Sequence, residues 1–431
     1  MKHPSLCRNF QSCAAWTLAV FAFALSLAAT SAAQTQSILH SFMDAADGAV
    51  PASGLTSDAA GNLYGTAQYS SSGQGVVFKL SPTANGSWRE TVLHTFSGSP
   101  DGSNPYGGVA MDASGNLYGT TPYGGSSNCG VVYKLTPRPI APWREAVIHS
   151  FRCDPDGANP ITSLVLDASG NIYGTTTYGG NTTTGSGTAF ELSPSSSGGY
   201  TETLLHTFRG GHDGALPFAG LTLDSAGNLY GTTVAGGSTA CSGGCGVVFE
   251  LSKSSGVWTF ATIHQFRYGD GWAPEALLTI DSAGNLYGTT EVGGPINNGG
   301  NGNGVVFEVS PNGAGGWSEK TIYAFTGGAD GSVPRSPVIF DSAGNLYGAN
   351  SGVPVNFGTI FELTPDGSGG WIESNLYDWS SSTYYQGTTP IGPIVRDASG
   401  NIYGTNEFGG ATAYEFCIQG DGCGTVFEVT P

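Results

Sequence analysis

Seven copies of Asp-x-x-Gly-Asn-(Leu/Ile)-Tyr-Gly begin at Asp58, Asp112, Asp167, Asp224, Asp281, Asp341 and Asp397. A carboxylate beside a glycine suggests a cation loop. Each copy, however, supplies one carboxylate on its own turn, too few oxygens for Ca²⁺. An Asp that opens a tight turn by accepting backbone N–H bonds, followed by Gly in the left-handed position, accounts for the motif without metal. Outside the motif, Glu275, Glu291, Glu407 and Asp421 are the carboxylates available for acid and base work of the kind a carbohydrate hydrolase or lyase performs. Their sequence spacing does not pair them. No nucleophile with an adjacent base and no cofactor motif stands out, so no catalytic residue, metal or cofactor is assigned. The glycine-rich run 297–304 leads into a strand, occurs once and contains no Asp, which leaves a flexible loop rather than a phosphate or calcium site.

Arg152, Arg209 and Arg267 hold one offset in three consecutive copies. They could recognise an anion or an acidic sugar, or they could pair internally with Asp156, Asp213 and Asp270 just downstream. Tyr123, Tyr178 and Phe408 stand where they could stack on sugar rings or cover the ends of the sheets. His40, His94, His149, His206 and His264 also recur once per copy, with Tyr323 and Tyr377 in the remaining two. Tyr can replace His as a half-buried hydrogen-bonding group but poorly as a metal ligand.

These residues are carried by a repeat of roughly 56 residues whose period identifies a repeat architecture. Each copy reads as four short strands: an aliphatic stretch ending in the Asp, then Asn-Leu-Tyr-Gly-Thr-Thr, then a run such as Gly246 to Leu251, then one such as Trp258 to Phe266. With Gly 69, Pro 23 and 11% charged residues, the composition suits strands and tight turns. Four strands repeated seven times predict an all-β fold, a seven-bladed β-propeller with four antiparallel strands per blade. The strands are labelled A to D from the axis outward. The chain after residue 33 opens with a D strand, Ile38 to Phe42, and ends with a C strand, Gly424 to Val429, so the first strand should close the last blade. Strand D lies roughly 14 Å outside strand A, so the histidines spread around the rim and cannot share one metal. The D to A and B to C loops emerge on one face and carry the non-repeating residues; any ligand is expected there.

The units Asp112-Ala113-Ser114-Gly115-Asn116-Leu117-Tyr118-Gly119-Thr120 and Gly246-Val247-Val248-Phe249-Glu250-Leu251 resemble the gloeo/verruco (GloVer) tandem repeat of exported bacterial proteins, over essentially all of residues 37 to 431. The resemblance implies an exported repeat protein and brings no catalytic residues.

Lys2 and Arg8, an apolar run from Ala14 to Ala29 and the small residues Ser31, Ala32 and Ala33 read as a cleaved signal peptide over 1–33, leaving one domain over 34–431. No membrane insertion is expected after cleavage, and the location is periplasmic or extracellular. Removing Lys2 and Arg8 from the 14 cations leaves 12 against 32 carboxylates, a net charge of −20, which excludes nucleic acid as a partner. Cys129, Cys153, Cys241, Cys245, Cys417 and Cys423 remain, an even count that favours disulfides in an exported protein. Their positions predict Cys129–Cys153, Cys241–Cys245 and Cys417–Cys423. The function expected from all this is non-enzymatic binding of a protein or glycan through the loop face. The alternatives are a carbohydrate-active hydrolase or lyase and a structural envelope protein, since one fold hosts all three.

Overall fold

In the computed structural model, each Asp of the motif holds its hairpin with both carboxylate oxygens. In the first copy, Asp58 Oδ1 accepts the amides of Ala60 and Asn62, and Oδ2 accepts Asn62 Nδ2 at 2.7 Å and the Tyr64 hydroxyl at 3.0 Å. Gly61 follows at φ 77°. Burial works against the Asp58 charge, but the Asn62 side chain, the Asn62 amide and Tyr64 outweigh it and hold the carboxyl below its ordinary value. The Asn and Tyr of the motif are therefore ligands of the Asp, a role that turn chemistry alone does not reveal.

The structure describes residues 34–430 except 44–45, 141, 181–184, 296–301, 314, 353–356, 380–385, 411–416 and 418–421. The signal segment 1–33, Asp421 and most of the 297–304 run lie outside the described residues. Seven four-stranded antiparallel blades form the propeller, and a short 3-10 turn, Gly211–Asp213, lies in the loop from blade 3 to blade 4. Blade 4 is typical: strand A is Thr222–Leu223, B is Leu229–Thr233, C is Val247–Ser254 and D is Val257–Gln265. The last blade takes Thr35–Ser41 as its D strand against Thr425–Thr430, as the strand count requires. Among the described residues no helix is long and apolar enough to cross a membrane.

Blade packs on blade through a circle of aromatic pairs. The aromatic after each D strand is buried against the strand C ring of the next blade: Phe42 on Phe78, Phe96 on Tyr133, Phe151 on Phe190, and so round to Trp379 on Phe427, with centroids 4.9 to 5.2 Å apart. Such edge-to-face pairs add to the area they bury. The tip of each strand C ring reaches strand B at the glycine of the motif. A Cβ on Gly231 would sit 2.5 Å from Phe249 Cζ and 3.0 Å from Leu221. Gly231→Ala is therefore expected to cost ~1–3 kcal/mol through overpacking, although its backbone is ordinary for an L-residue. Chemical denaturation checks this, and an unchanged midpoint would show that the ring can slide away.

A second seam lies at the loops. Seven prolines, Pro51 through Pro390, stand seven residues before each motif Asp and cover a glycine of the preceding blade, as Pro274 covers Gly246. The residue before each proline adopts positive φ even when it is Val50, Leu216, Val333 or Thr389. That conformation is costly for branched side chains. It turns the amide onto the preceding blade, as in Val50 N to Cys423 O at 2.8 Å and Ala273 N to Cys245 O at 3.2 Å.

Candidate functional site

Six residues before each motif Asp the chain rounds the mouth of the central channel. Ala52, Tyr106, Ile161, Phe218, Glu275, Arg335 and Ile391 occupy this one offset and line a cavity at the axis. Five of the seven are uncharged. Glu275 and Arg335 belong to adjacent blades, and strand B of blade 5 brings Glu291 to them. Arg335 Nη2 donates to Glu291 Oε1 at 2.5 Å, and its Nε lies 3.4 Å from Glu275 Oε2. The guanidinium thus holds two carboxylates at once.

One cation cannot neutralise both. Burial first, and then the Glu291 charge, push the Glu275 carboxyl up to about 7, against the pull of Arg335. Glu407 stands at the offset of Glu291 two blades on, and burial raises it too, opposed by Arg335. Burial and the nearby Glu407 carboxylate raise Tyr106 to about 12, so its phenol stays protonated as a donor. The mouth therefore presents hydrogen-bond donors and acceptors around a half-exposed tyrosine, with one carboxyl able to give a proton near neutrality.

A second ring surrounds the mouth. Eleven residues after the motif Asp stand Tyr69, Tyr123, Tyr178, Ala235, Val292, Gly352 and Phe408. The aromatic members fall on consecutive blades, 7, 1, 2 and 3, and Tyr69, Tyr123 and Tyr178 are 45 to 47% exposed. They form an arc over half of the loop face, and Tyr106 of the inner ring is 38% exposed. Exposed tyrosines at one offset are costly as packing and well suited to contact.

Three of the four loop carboxylates read from the sequence, Glu275, Glu291 and Glu407, thus share the surroundings of Arg335. The arginine series stays on the rim. Arg152 donates from Nε to Asp156 Oδ2 at 3.1 Å, and the backbone amides of Arg152, Arg209 and Arg267 bond Asp156, Asp213 and Asp270. The disulfides Cys129–Cys153, Cys241–Cys245 and Cys417–Cys423 are present as paired from the sequence and lie in the loops. Arg335, Tyr106 and Tyr69 were not singled out by sequence reasoning. Aligning the seven copies by offset carries the signal, because Arg335 is the one cation in a ring of otherwise uncharged or acidic residues.

The histidines turn away from the mouth. A bulge in strand D, as between Val248 and Phe249 of its partner, re-aims each imidazole onto an Asp in the next loop. His94 Nε2 lies 3.2 Å from Asp101 Oδ2 and His206 Nε2 3.2 Å from Asp213 Oδ2, while the Tyr323 hydroxyl donates to Asp330 at 3.2 Å.

Fold and site together define a seven-bladed propeller with an asymmetric, aromatic and carboxylate-lined loop face. The chain belongs to the Gloeobacter/Verrucomicrobia repeat family, which it matches over residues 21–243 and 238–431. No curated protein matches by sequence. Similar solved structures include a protein from Lactobacillus plantarum, at 14% identity and TM-score 0.48 over 85% of this chain and 98% of that one. An ancestral GH74 enzyme shares 12% identity at TM-score 0.55 over 88% of this chain and 48% of its own. A puromycin-hydrolysing peptidase of Mycobacterium tuberculosis shares 11% at TM-score 0.47 over 85% and 52%. This chain spans about half the length of the two enzymes, and likeness at these identities shows the fold alone. Disulfides and a bacterial repeat family are consistent with an exported protein.

Proposed function

We propose that the protein is an exported, non-enzymatic glycan-binding propeller that takes a neutral or basic saccharide across its loop face. The observation that carries this reading is the arc of Tyr69, Tyr123 and Tyr178, each nearly half exposed, on the face whose channel mouth holds Tyr106 and three carboxylates. Tyrosine faces suit the C–H surfaces of sugar rings, and carboxylates accept hydroxyl or ammonium protons. Disulfides in the surrounding loops reduce the ordering cost of binding. A net charge of −18 for the whole chain disfavours acidic polysaccharides. The arginine series, with Arg152 engaged by Asp156, is left to pair within its own loops.

A second reading rests on Glu275, whose raised carboxyl beside the Arg335-held Glu291 could protonate a leaving group. A glycan array followed by calorimetry, run with a polysaccharide-degradation screen, separates the two. Saturable binding without turnover is expected, and Tyr123→Ala/Tyr178→Ala should weaken it at least about tenfold, ~1.4 kcal/mol, with the melting temperature unchanged. Unaltered affinity in that variant would sink the arc as the binding surface. Turnover abolished by Glu275→Gln would replace the binding reading with the hydrolytic one.

A further inference from the structure

The seams between blades repeat a second constellation that the loop face does not use. The strand D histidine of one blade, the Asp of the loop that follows it, and a strand D residue of the next blade meet at the rim. The third member stands four residues before its own strand's His or Tyr and is Glu90, Glu145, Glu202, Glu319 or Glu373 at five seams. At the seam between blades 3 and 4 it is Phe260, which stacks on His206 with centroids 3.7 Å apart.

Among the described residues, two seams bring one ligand atom from each of the three side chains within 4.8 Å of the others: His149, Asp156 and Glu202, and His264, Asp270 and Glu319. In the first, the Arg152 guanidinium already neutralises Asp156. In the second, Asp270 spends Oδ1 on the Arg267 amide at 2.6 Å and presents Oδ2 to His264 Nε2 at 3.4 Å. That Nε2 is closed to solvent and has no hydrogen-bond partner, so the pair is near without being aligned for a shared proton.

We propose that His264, Asp270 and Glu319 form a binding site for a divalent transition-metal cation of the zinc class, joining blade 4 to blade 5. Tetrahedral zinc with ligands at about 2.0–2.1 Å sets its donor atoms about 3.3–3.4 Å apart, the spacing of His264 Nε2 and Asp270 Oδ2. A nitrogen donor selects zinc-class ions over Ca²⁺ or Mg²⁺, whose ligands are oxygens. The bulge fixes the imidazole. A cleft lined by Thr262, His264, Gln265, Arg267 and Asp270 opens beside two of the three ligands. The site is built from one histidine and the carboxylates of its own seam, so histidines spread around the rim do not preclude it.

The test is a calorimetric titration of Zn²⁺ alone into chelator-treated protein, repeated with Co²⁺ to read its visible absorption bands. Tight zinc uptake is expected, with one equivalent lost in Glu319→Gln and nitrogen-ligated cobalt bands reduced in His264→Asn. Glu319→Phe copies the Phe260 seam, which packs without a carboxylate, and guards against a variant that fails to fold. Each variant's melting point in chelator reports its fold. Unchanged stoichiometry, affinity within tenfold of the wild type and unchanged cobalt bands in all three variants would overturn the site and leave only adventitious binding by an acidic surface.

Discussion

Protein lacking residues 34–42 is expected to aggregate and to melt at least about 10 °C below the intact chain. Those residues supply the D strand Thr35–Ser41, whose loss bares the ladder edge of Thr425–Thr430. An unpaired edge is a template for pairing between chains. The deletion also removes Phe42, fully buried against Phe78 across the seam between blades 7 and 1. Phe42→Ala alone should cost ~3–5 kcal/mol, so the aromatic contributes even where the strand remains. A thermal scan with size-exclusion chromatography separates the two losses. A truncated chain that stayed monomeric with an unchanged melting temperature would mean that the ring holds without this closure.

In chelator, the intact protein is expected to be more stable near pH 5 than near pH 8, and Glu90→Gln/Glu202→Gln to be more stable than wild type at pH 8. Burial lifts Glu90 and Glu202 to about 7, helped by the charges of Asp47 and Asp156 respectively, with His40 and Arg152 opposing. Their folded values lie above the ordinary 4.5, so the folded state binds more protons between pH ~4.5 and ~7. Stability therefore falls as pH rises through that window, and the penalty is complete above it. Allowing for solvent screening, each group costs ~1 kcal/mol at pH 8, which for a chain of this size is about 1–2 °C apiece. Glu275, also raised to about 7 chiefly by burial, acts in the same direction. His149 and His206 work the other way below pH ~6.5, since burial holds both below their ordinary value and their neutral forms are favoured. At the acid end Asp58, Asp101 and Asp397 are held low by hydrogen bonds, so their contribution is present above the usual 3.8 and is lost only at lower pH. A wild-type melting temperature that rises from pH 5 to pH 8, or a double variant less stable than wild type at pH 8, would contradict this balance.

Much of the architecture was legible in the amino-acid sequence because repetition makes local chemistry readable. The seven Asp-x-x-Gly-Asn turns, the four strand signals per copy, the terminal D and C strands and the three cysteine pairs are all short-range features. Their partners lie in the same hairpin, the same blade or at the chain ends, and strand order alone places them. The family resemblance follows from the same local units. The loop face could also be named in advance, because the A to B turns consume their own polar groups.

Contacts between blades were decided only by the tertiary structure. Arg335 and Glu275 are 60 residues apart in the sequence, and what joins them is a shared offset on two blades whose mutual rotation brings both to the axis. The exposed tyrosines lie on blades 1 to 3, and Phe408 of blade 7 joins their arc only because blades 7 and 1 become neighbours when Thr35–Ser41 completes the last sheet. Each strand D histidine could be placed on the rim from its strand, but the Asp it faces and the Glu of the following blade become its neighbours only through the bulge and the interblade seam. Ring closure converts equal sequence offsets into spatial rings, and the non-repeating residues at those offsets give this face its particular chemistry.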